Sequence, residues 1–187
     1  MDEILDLLYK RGAVMKGHFL LSSGLHSDTY IQCAQVSQYP EDNSFLAKKI
    51  AELFRDKEID LVIGPAIGGI TIAYETARAL GVRGIFAERE SGVLTLRRGF
   101  SIREGERVLI VEDVITTAGT VRELKDLVLS CGGEVAGISS IVNRGNINEI
   151  DGIPVKSLVY ISLSTYPPDD CPLCKAGIPI VKPGSRR

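Results

Sequence analysis

The sequence predicts an α/β fold in which a parallel sheet is flanked by helices and preceded by an irregular N-terminal region. Two observations carry this expectation. Short runs that are apolar at every position, such as Leu61-Val62-Ile63 and Val108-Leu109-Ile110-Val111, alternate with segments of helical spacing. Strands of that kind are covered on both faces, which is the condition of a parallel sheet. Gly64-Pro65 ends the first of these runs, and Gly12, Gly81 and Gly132-Gly133 follow three of the helices.

The elements follow in order. Residues 2–11 carry Ile4, Leu5, Leu7 and Leu8 at helical spacing, with Gly12 as a stop. The region from Lys16 to Pro40 reads as irregular. It contains two short extended runs, Phe19-Leu20-Leu21 and Tyr30-Ile31-Gln32-Cys33, on either side of the turn-rich Ser22-Ser23-Gly24. Leu46, Ile50, Leu53 and Phe54 mark an amphipathic helix between Glu41 and Lys57. Leu61–Ile63 is a strand ending in Gly64-Pro65, and a helix over about Ile70–Leu80 follows, closed by Gly81. Gly84–Ala87 and Arg107–Val111 are the next strands, then a helix from about Thr120 to Ser130. Val135–Val142 and Val155–Ile161 complete the sheet. The proline-rich tail, 163–187, shows little periodicity and reads as an ordered or semi-ordered surface segment, not a domain. The chain is thus expected to be one domain, with an N-terminal region over about 1–40, a core over about 41–162 and that tail.

Composition excludes several classes. The 187 residues suffice for one full core. A formal net charge of −2 leaves no basic footprint for nucleic acid. No apolar run approaches the ~20 residues that a membrane helix needs. The Met1-Asp2-Glu3 start places acids where a secretory signal carries positive charge. The expected location is the cytoplasm, where Cys33, Cys131, Cys171 and Cys174 are expected as free thiols.

In parallel sheets, ligands sit beyond the carboxyl ends of the strands. After Val111 the chain reads Glu112-Asp113-Val114-Ile115-Thr116-Thr117-Ala118-Gly119-Thr120. Small residues let backbone N–H groups close around a phosphate, the helix N-terminus adds partial positive charge, and the threonines add donors. Two carboxylates beside them suit a ribose diol or a Mg²⁺ ion. The plainer alternative is helix capping with a threonine turn.

Val108 to Thr120 resembles the phosphoribosyl-diphosphate (PRPP) signature of the type I phosphoribosyltransferases at all thirteen positions. The resemblance implies that family's parallel sheet and small N-terminal hood, the latter over about 1–40. It places Thr116, Thr117, Ala118, Gly119 and Thr120 on the 5′-phosphate, with Val114 and Ile115 leading in, and Glu112 and Asp113 on the ribose hydroxyls. Ala118 stands where glycine is common, although alanine disfavours positive φ. Three further segments resemble the orotate branch of the family. They are the hood run Ser22–Tyr30, the strand end Val142-Asn143-Arg144, and the pyrophosphate loop Gly64-Pro65-Ala66-Ile67-Gly68-Gly69. The tail Cys171-Pro172-Leu173-Cys174 is similar to one bacterial branch.

The implied activity joins orotate to PRPP, with Mg²⁺ as cofactor and a homodimer as the assembly. Arg144, together with Thr116, Ser23, Gly24 and Tyr30, would meet orotate. An arginine fork suits a carboxylate. A surface role for Arg144 and a packing role for Tyr30 stay open. Glu88–Gly99 would be a mobile loop that reaches the neighbouring subunit and brings Arg89, Arg97 and Arg98 to the pyrophosphate. A charged surface hairpin is the alternative. The chain departs from the family in having no lysine between Lys57 and Lys125, and Gly68 replaces a usual lysine. Another nucleobase, or a non-catalytic PRPP-sensing regulator, would also suit these features.

The cysteines pose a separate question. Cys171-x-x-Cys174 is half of a structural zinc site. The other half could come from Cys33 and Cys131 or from a second subunit, but neither has a partner at ligand spacing and neither histidine is near in sequence. A turn containing Pro172 is the expectation, with His26 in local hydrogen bonds.

Overall fold

The computed structural model describes residues 3–21 and 23–183. Met1 and Asp2 of the acidic start, Ser22 of the hood turn and the last four residues of the tail lie outside them. The chain divides into two compact units, residues 1–36 with 162–187, and residues 37–161.

In the first unit, α1 (Glu3–Lys10) leads through Gly12 into a hairpin of β1 (Val14–Leu20) and β2 (His26–Ile31). The strands begin earlier than the apolar runs indicate, because Val14 pairs with Ile31 and Lys16 with Thr29 across an antiparallel ladder. The short helix α2 (Ala34–Ser37) follows.

The second unit opens with α3 (Pro40–Leu53), β3 (Leu61–Pro65) and α4 (Gly69–Leu80). A hairpin of β4 (Arg83–Glu90) and β5 (Val93–Thr95) comes next, then β6 (Arg107–Ile115), α5 (Gly119–Ser130), β7 (Glu134–Asn143), β8 (Glu149–Ile150) and β9 (Ile153–Tyr160). These strands form one seven-stranded sheet in the order β5-β4-β3-β6-β7-β9-β8. The inner five strands are parallel, and antiparallel β5 and β8 close the edges.

The core is the sheet itself. Leu61, Ile63, Val108, Ile110 and Ile138 are fully buried, and Leu124 and Val128 of α5 pack into the same cluster. Phe54, at the end of α3, is buried against β7, where Gly137 leaves the space. A Cβ on Gly137 would stand 2.3 Å from the Phe54 ring. At the amino end of the sheet the Asp60 carboxylate accepts hydrogen bonds from the Arg107 backbone and guanidinium at 2.8–2.9 Å. Those bonds hold the Asp60 carboxyl well below the usual range and tie the start of β6 to the residue that precedes β3.

The tail carries short elements of its own. It adds β10 (Thr165–Tyr166) to the first unit's sheet, then a 3-10 turn (Pro168–Asp170) and α6 (Pro172–Lys175). Val181 bridges to Phe19. The pieces are too short for any periodicity to show. The tail also corrects the expectation for its cysteines: His18 and His26 on the hairpin meet Cys171 and Cys174, whereas Cys33 and Cys131 are not in that group.

Phe54→Ala is expected to cost about 3–5 kcal/mol, as for other buried aromatic truncations. A urea melt monitored by circular dichroism measures it.

Candidate active site

The chain passes from β3 outward to β4, then returns across β3 to β6 on its other side. The connections leave β3 and β6 in opposite directions, and such a reversal opens a crevice at the carboxyl ends of the two strands. Two loops line it: Ala66–Gly69 after β3, and Thr116–Ala118 after β6.

Strand β6 runs further than the apolar run, through Glu112 and Asp113 to Ile115. Its ladder with β7 continues through Val114↔Val142 and Ile115↔Asn143. The two carboxylates therefore stand on the strand and only Thr116–Ala118 forms the loop, a correction to the expected loop from Glu112. This mounting is rigid. Glu112 is buried and accepts the Asp113 N–H at 3.0 Å, while Asp113 accepts the Val114 N–H at 2.8 Å.

The loops approach too closely for side chains. A Cβ on Gly68 would stand 2.6 Å from Asp113 Oδ2, and one on Gly69 would stand 3.2 Å from Glu112 Oε1. A Cβ on Gly64 would strike the Gly69 carbonyl at 2.6 Å. Glycine at 68 thus lets the β3 loop lie directly against the carboxylates, in the place where a lysine was expected from the family.

Ala118 caps α5 with φ +61°, the left-handed conformation that costs a non-glycine residue about 1–2 kcal/mol. Its methyl group is buried with Ile115 and Val121 in the core, which offsets part of that cost. The turn aims the first amides of the twelve-residue α5 at the crevice, and a helix leaves those amides without partners of its own. Thr116, Thr117 and Gly119 are exposed there, beside the half-buried Thr120.

Arg144 follows β7 directly. Its backbone N–H donates to the Ile115 carbonyl at 2.8 Å, and a Cβ on Gly145 would stand 2.1 Å from the Thr116 carbonyl oxygen. Asn143 is buried and clamps the turn, donating to the Ile147 carbonyl at 2.7 Å and accepting its N–H at 3.1 Å. Arg144 is half-buried beside the threonine loop.

The segment 88–99 forms the β4–β5 hairpin around Ser91-Gly92, both with positive φ, the two-residue turn that matches strand twist. Arg89 grips Glu123 of α5 at 2.8–2.9 Å, Arg98 grips Glu88 at 2.7–2.9 Å, and Arg97 lies 3.7 Å from Glu90. Exposed pairs like these hold weakly, so the arginines remain available to an anion.

Ser23, Gly24 and Tyr30 lie in the first unit. Ser23 and Gly24 are exposed in the hairpin turn, and the Tyr30 ring packs 5.7 Å from Phe19. Sequence reasoning missed Asn143 and Gly145. Their signal was present as Asn-Arg-Gly at a strand end, but only the loop contact gives it meaning.

Comparison with known proteins agrees with this geometry. Residues 35–162 match the profile of the phosphoribosyl transferase domain. An orotate phosphoribosyltransferase of Caldanaerobacter subterraneus subsp. tengcongensis is 55% identical over 187 residues, covering 100% of this chain and 98% of that protein. One from Pelotomaculum thermopropionicum is 54% identical over 186 residues, covering 100% and 98%. The crystal structure of orotate phosphoribosyltransferase from Aeropyrum pernix superposes with a TM-score of 0.71 at 26% identity, covering 84% of this chain and 93% of that one.

Burial, and then the Asp113 charge, push the Glu112 carboxyl well above the usual glutamate range. Folding in the absence of ligand therefore favours the protonated acid relative to the unfolded chain. Stability falls as pH rises above roughly 4.3, the unfolded value, and the loss is complete only above the raised folded value. In the ligand-free protein, the Tm of Glu112→Gln is expected to gain on wild type as pH is raised through that window. Scanning calorimetry across pH reads the gap.

Proposed function

The chain belongs to the phosphoribosyltransferase family, and we propose that it transfers the phosphoribosyl group of PRPP to orotate, giving orotidine 5′-phosphate and pyrophosphate, a step of pyrimidine nucleotide synthesis. The observation that carries this reading is the placement of Arg144 against the Thr116 loop. The backbone at Arg144 and Gly145 lies against Ile115 and Thr116, and in our reading the arginine fork there takes the orotate carboxylate beside the 5′-phosphate and the ribose. Full-length identity to orotate phosphoribosyltransferases supports the choice of base.

In the proposed mechanism, amides and hydroxyls of Thr116–Thr120 hold the 5′-phosphate. Glu112 and Asp113 accept the ribose hydroxyls and favour positive charge on the sugar as the bond to pyrophosphate lengthens. The orotate ring nitrogen attacks C1′ while pyrophosphate leaves. Arg144 fixes orotate through its carboxylate. The work is positioning and electrostatic stabilisation, with no covalent nucleophile on the protein.

Arg89, Arg97 and Arg98 leave their glutamate partners and meet the pyrophosphate as the hairpin closes, excluding water. An arginine stays protonated, so these residues supply charge and not a proton. The oxygen-only donor set of Glu112 and Asp113 fits a hard cation. Mg²⁺ arriving with PRPP would neutralise the leaving group. Ser23, Gly24 and Tyr30 enter the proposal on the resemblance of their segment alone.

The assembly we propose is a homodimer, with the 88–99 hairpin reaching the neighbouring subunit. An apolar groove of about 600 Å³ between α3, α4 and β4 supports it. Pro40, Ile70, Tyr74, Phe86 and Phe100 line the groove, and the Tyr74 side chain stands open to solvent. A cytoplasmic site of action fits the composition, and no described helix is long and apolar enough to cross a membrane.

Orotate consumption, followed by ultraviolet absorbance with PRPP and Mg²⁺, tests the reading. Turnover is expected to need both substrates. Arg144→Ala is expected to lower kcat/KM for orotate by roughly 30-fold or more, the size of losing about 2 kcal/mol of charge-assisted binding. The KM for PRPP should hold, and Arg144→Lys, lacking the fork, should restore little. An Arg144→Ala enzyme with wild-type orotate kinetics would refute the assignment.

A further inference from the structure

We propose that the first unit carries a structural zinc site made by His18, His26, Cys171 and Cys174. Both histidines of the chain and two of its four cysteines converge there, from positions some 150 residues apart. His18 is on β1 and His26 on β2, facing each other across the hairpin, and the two cysteines flank the first turn of α6. His18, His26 and Cys171 are buried, and the Cys174 end is open to solvent.

Four of the six edges lie close to those of a coordination tetrahedron. The four ligand atoms all lie within 4.8 Å of one another. His18 Nε2 stands 3.6 Å from Cys171 Sγ and 3.7 Å from Cys174 Sγ, and His26 Nδ1 stands 3.3 Å from Cys174 Sγ. The two ring nitrogens are 3.0 Å apart. A tetrahedral zinc with bonds of about 2.05 Å to nitrogen and about 2.3 Å to sulfur puts the N···S edges near 3.6 Å and the N···N edge near 3.3 Å.

Hydrogen bonding does not account for the cluster. His18 Nδ1 lies 2.7 Å from the Ile178 carbonyl, which can only accept, so the ring proton sits on Nδ1. In the neutral ring, Nε2 then offers one lone pair, yet a ring nitrogen and two sulfurs crowd it. A cation at their centre satisfies all four groups. The bond from Nδ1 to a backbone carbonyl is also the outer contact that orients a metal-bound histidine.

The choice of metal follows from the donors. Two thiolates and two imidazoles in a tetrahedral set select zinc among the common divalent ions. Four protein ligands close the coordination sphere and leave no position for substrate, so the role is structural. The need is visible in the fold. A unit made of residues 1–36 and 162–187 is below the roughly 70–80 residues at which one core supplies comfortable stability. Its tail exposes Ile178, Ile180 and Val181 instead of burying them. Zinc would fasten α6 and the following segment to the hairpin.

Metal analysis of the purified full chain, after incubation with zinc and gel filtration, tests the proposal. The expected result is about one zinc per chain in wild type and in Cys131→Ser. Cys174→Ser, altered at the exposed ligand, is expected to retain at least about tenfold less. Cobalt replacement in wild type should give the visible bands of a tetrahedral ion together with thiolate charge transfer, and the Cys174 variant should not. Because the four ligands belong to the first unit and the threonine loop to the second, Cys174→Ser should still bind PRPP at low temperature. That separates failure of this proposal from failure of the enzymatic reading. Wild type that takes up less than about a tenth of a zinc per chain, or a Cys174 variant that keeps a full complement, would overturn the site.

Discussion

The parallel pairing of β3 with β6 is the constraint on which the rest depends. Leu61, Val62 and Ile63 lie in register with Val108, Leu109 and Ile110, all fully buried. Because β4 and β7 lie on opposite sides of this pair, the connections diverge and leave a crevice. Both strands are buried on both faces, so a slip by one residue would disturb a close-packed core and break the Asp60–Arg107 bonds. The carboxylates and the threonine loop are therefore held at fixed height above the sheet, with the Asp60–Arg107 bonds securing the far end.

Onto that frame the site is assembled by omission as much as by side chains. Gly64, Gly68, Gly69 and Gly145 stand where a Cβ would collide with backbone or carboxylate oxygens or with Pro65. Their absence of side chains lets three loops approach one another closely. Ala118 is the exception, since it accepts a left-handed backbone while its methyl group completes the core. Chemistry and packing are thus joined in the same short loop.

The sheet and the threonine loop after β6 were legible in sequence because both are local. A fully apolar run and a run of small hydroxylated residues need no distant partner to be recognised. The end of β6 was not legible, since Glu112 and Asp113 are polar and stay in the strand only through their ladder with β7. The hood strands were cut short for a similar reason: Met15, Lys16 and Gly17 give no alternation, and the partner strand holds them. The convergence of His18 and His26 with Cys171 and Cys174 was out of reach, because no spacing rule links positions at opposite ends of the chain. For residues 88–99 the hairpin stood only as the alternative to a mobile loop, and the grip of Arg89 on Glu123 depends on where α5 lies.

The central claim is that the loop between β6 and α5 holds the phosphate of PRPP. Calorimetric titration of PRPP into wild type and Thr117→Asp tests it most directly, since the new carboxylate would face the anion at the mouth of the cradle. One site per chain is predicted for wild type, with affinity weakened by at least about tenfold in the variant through like-charge repulsion. Equal affinity in the two proteins would contradict the account and move the phosphate elsewhere.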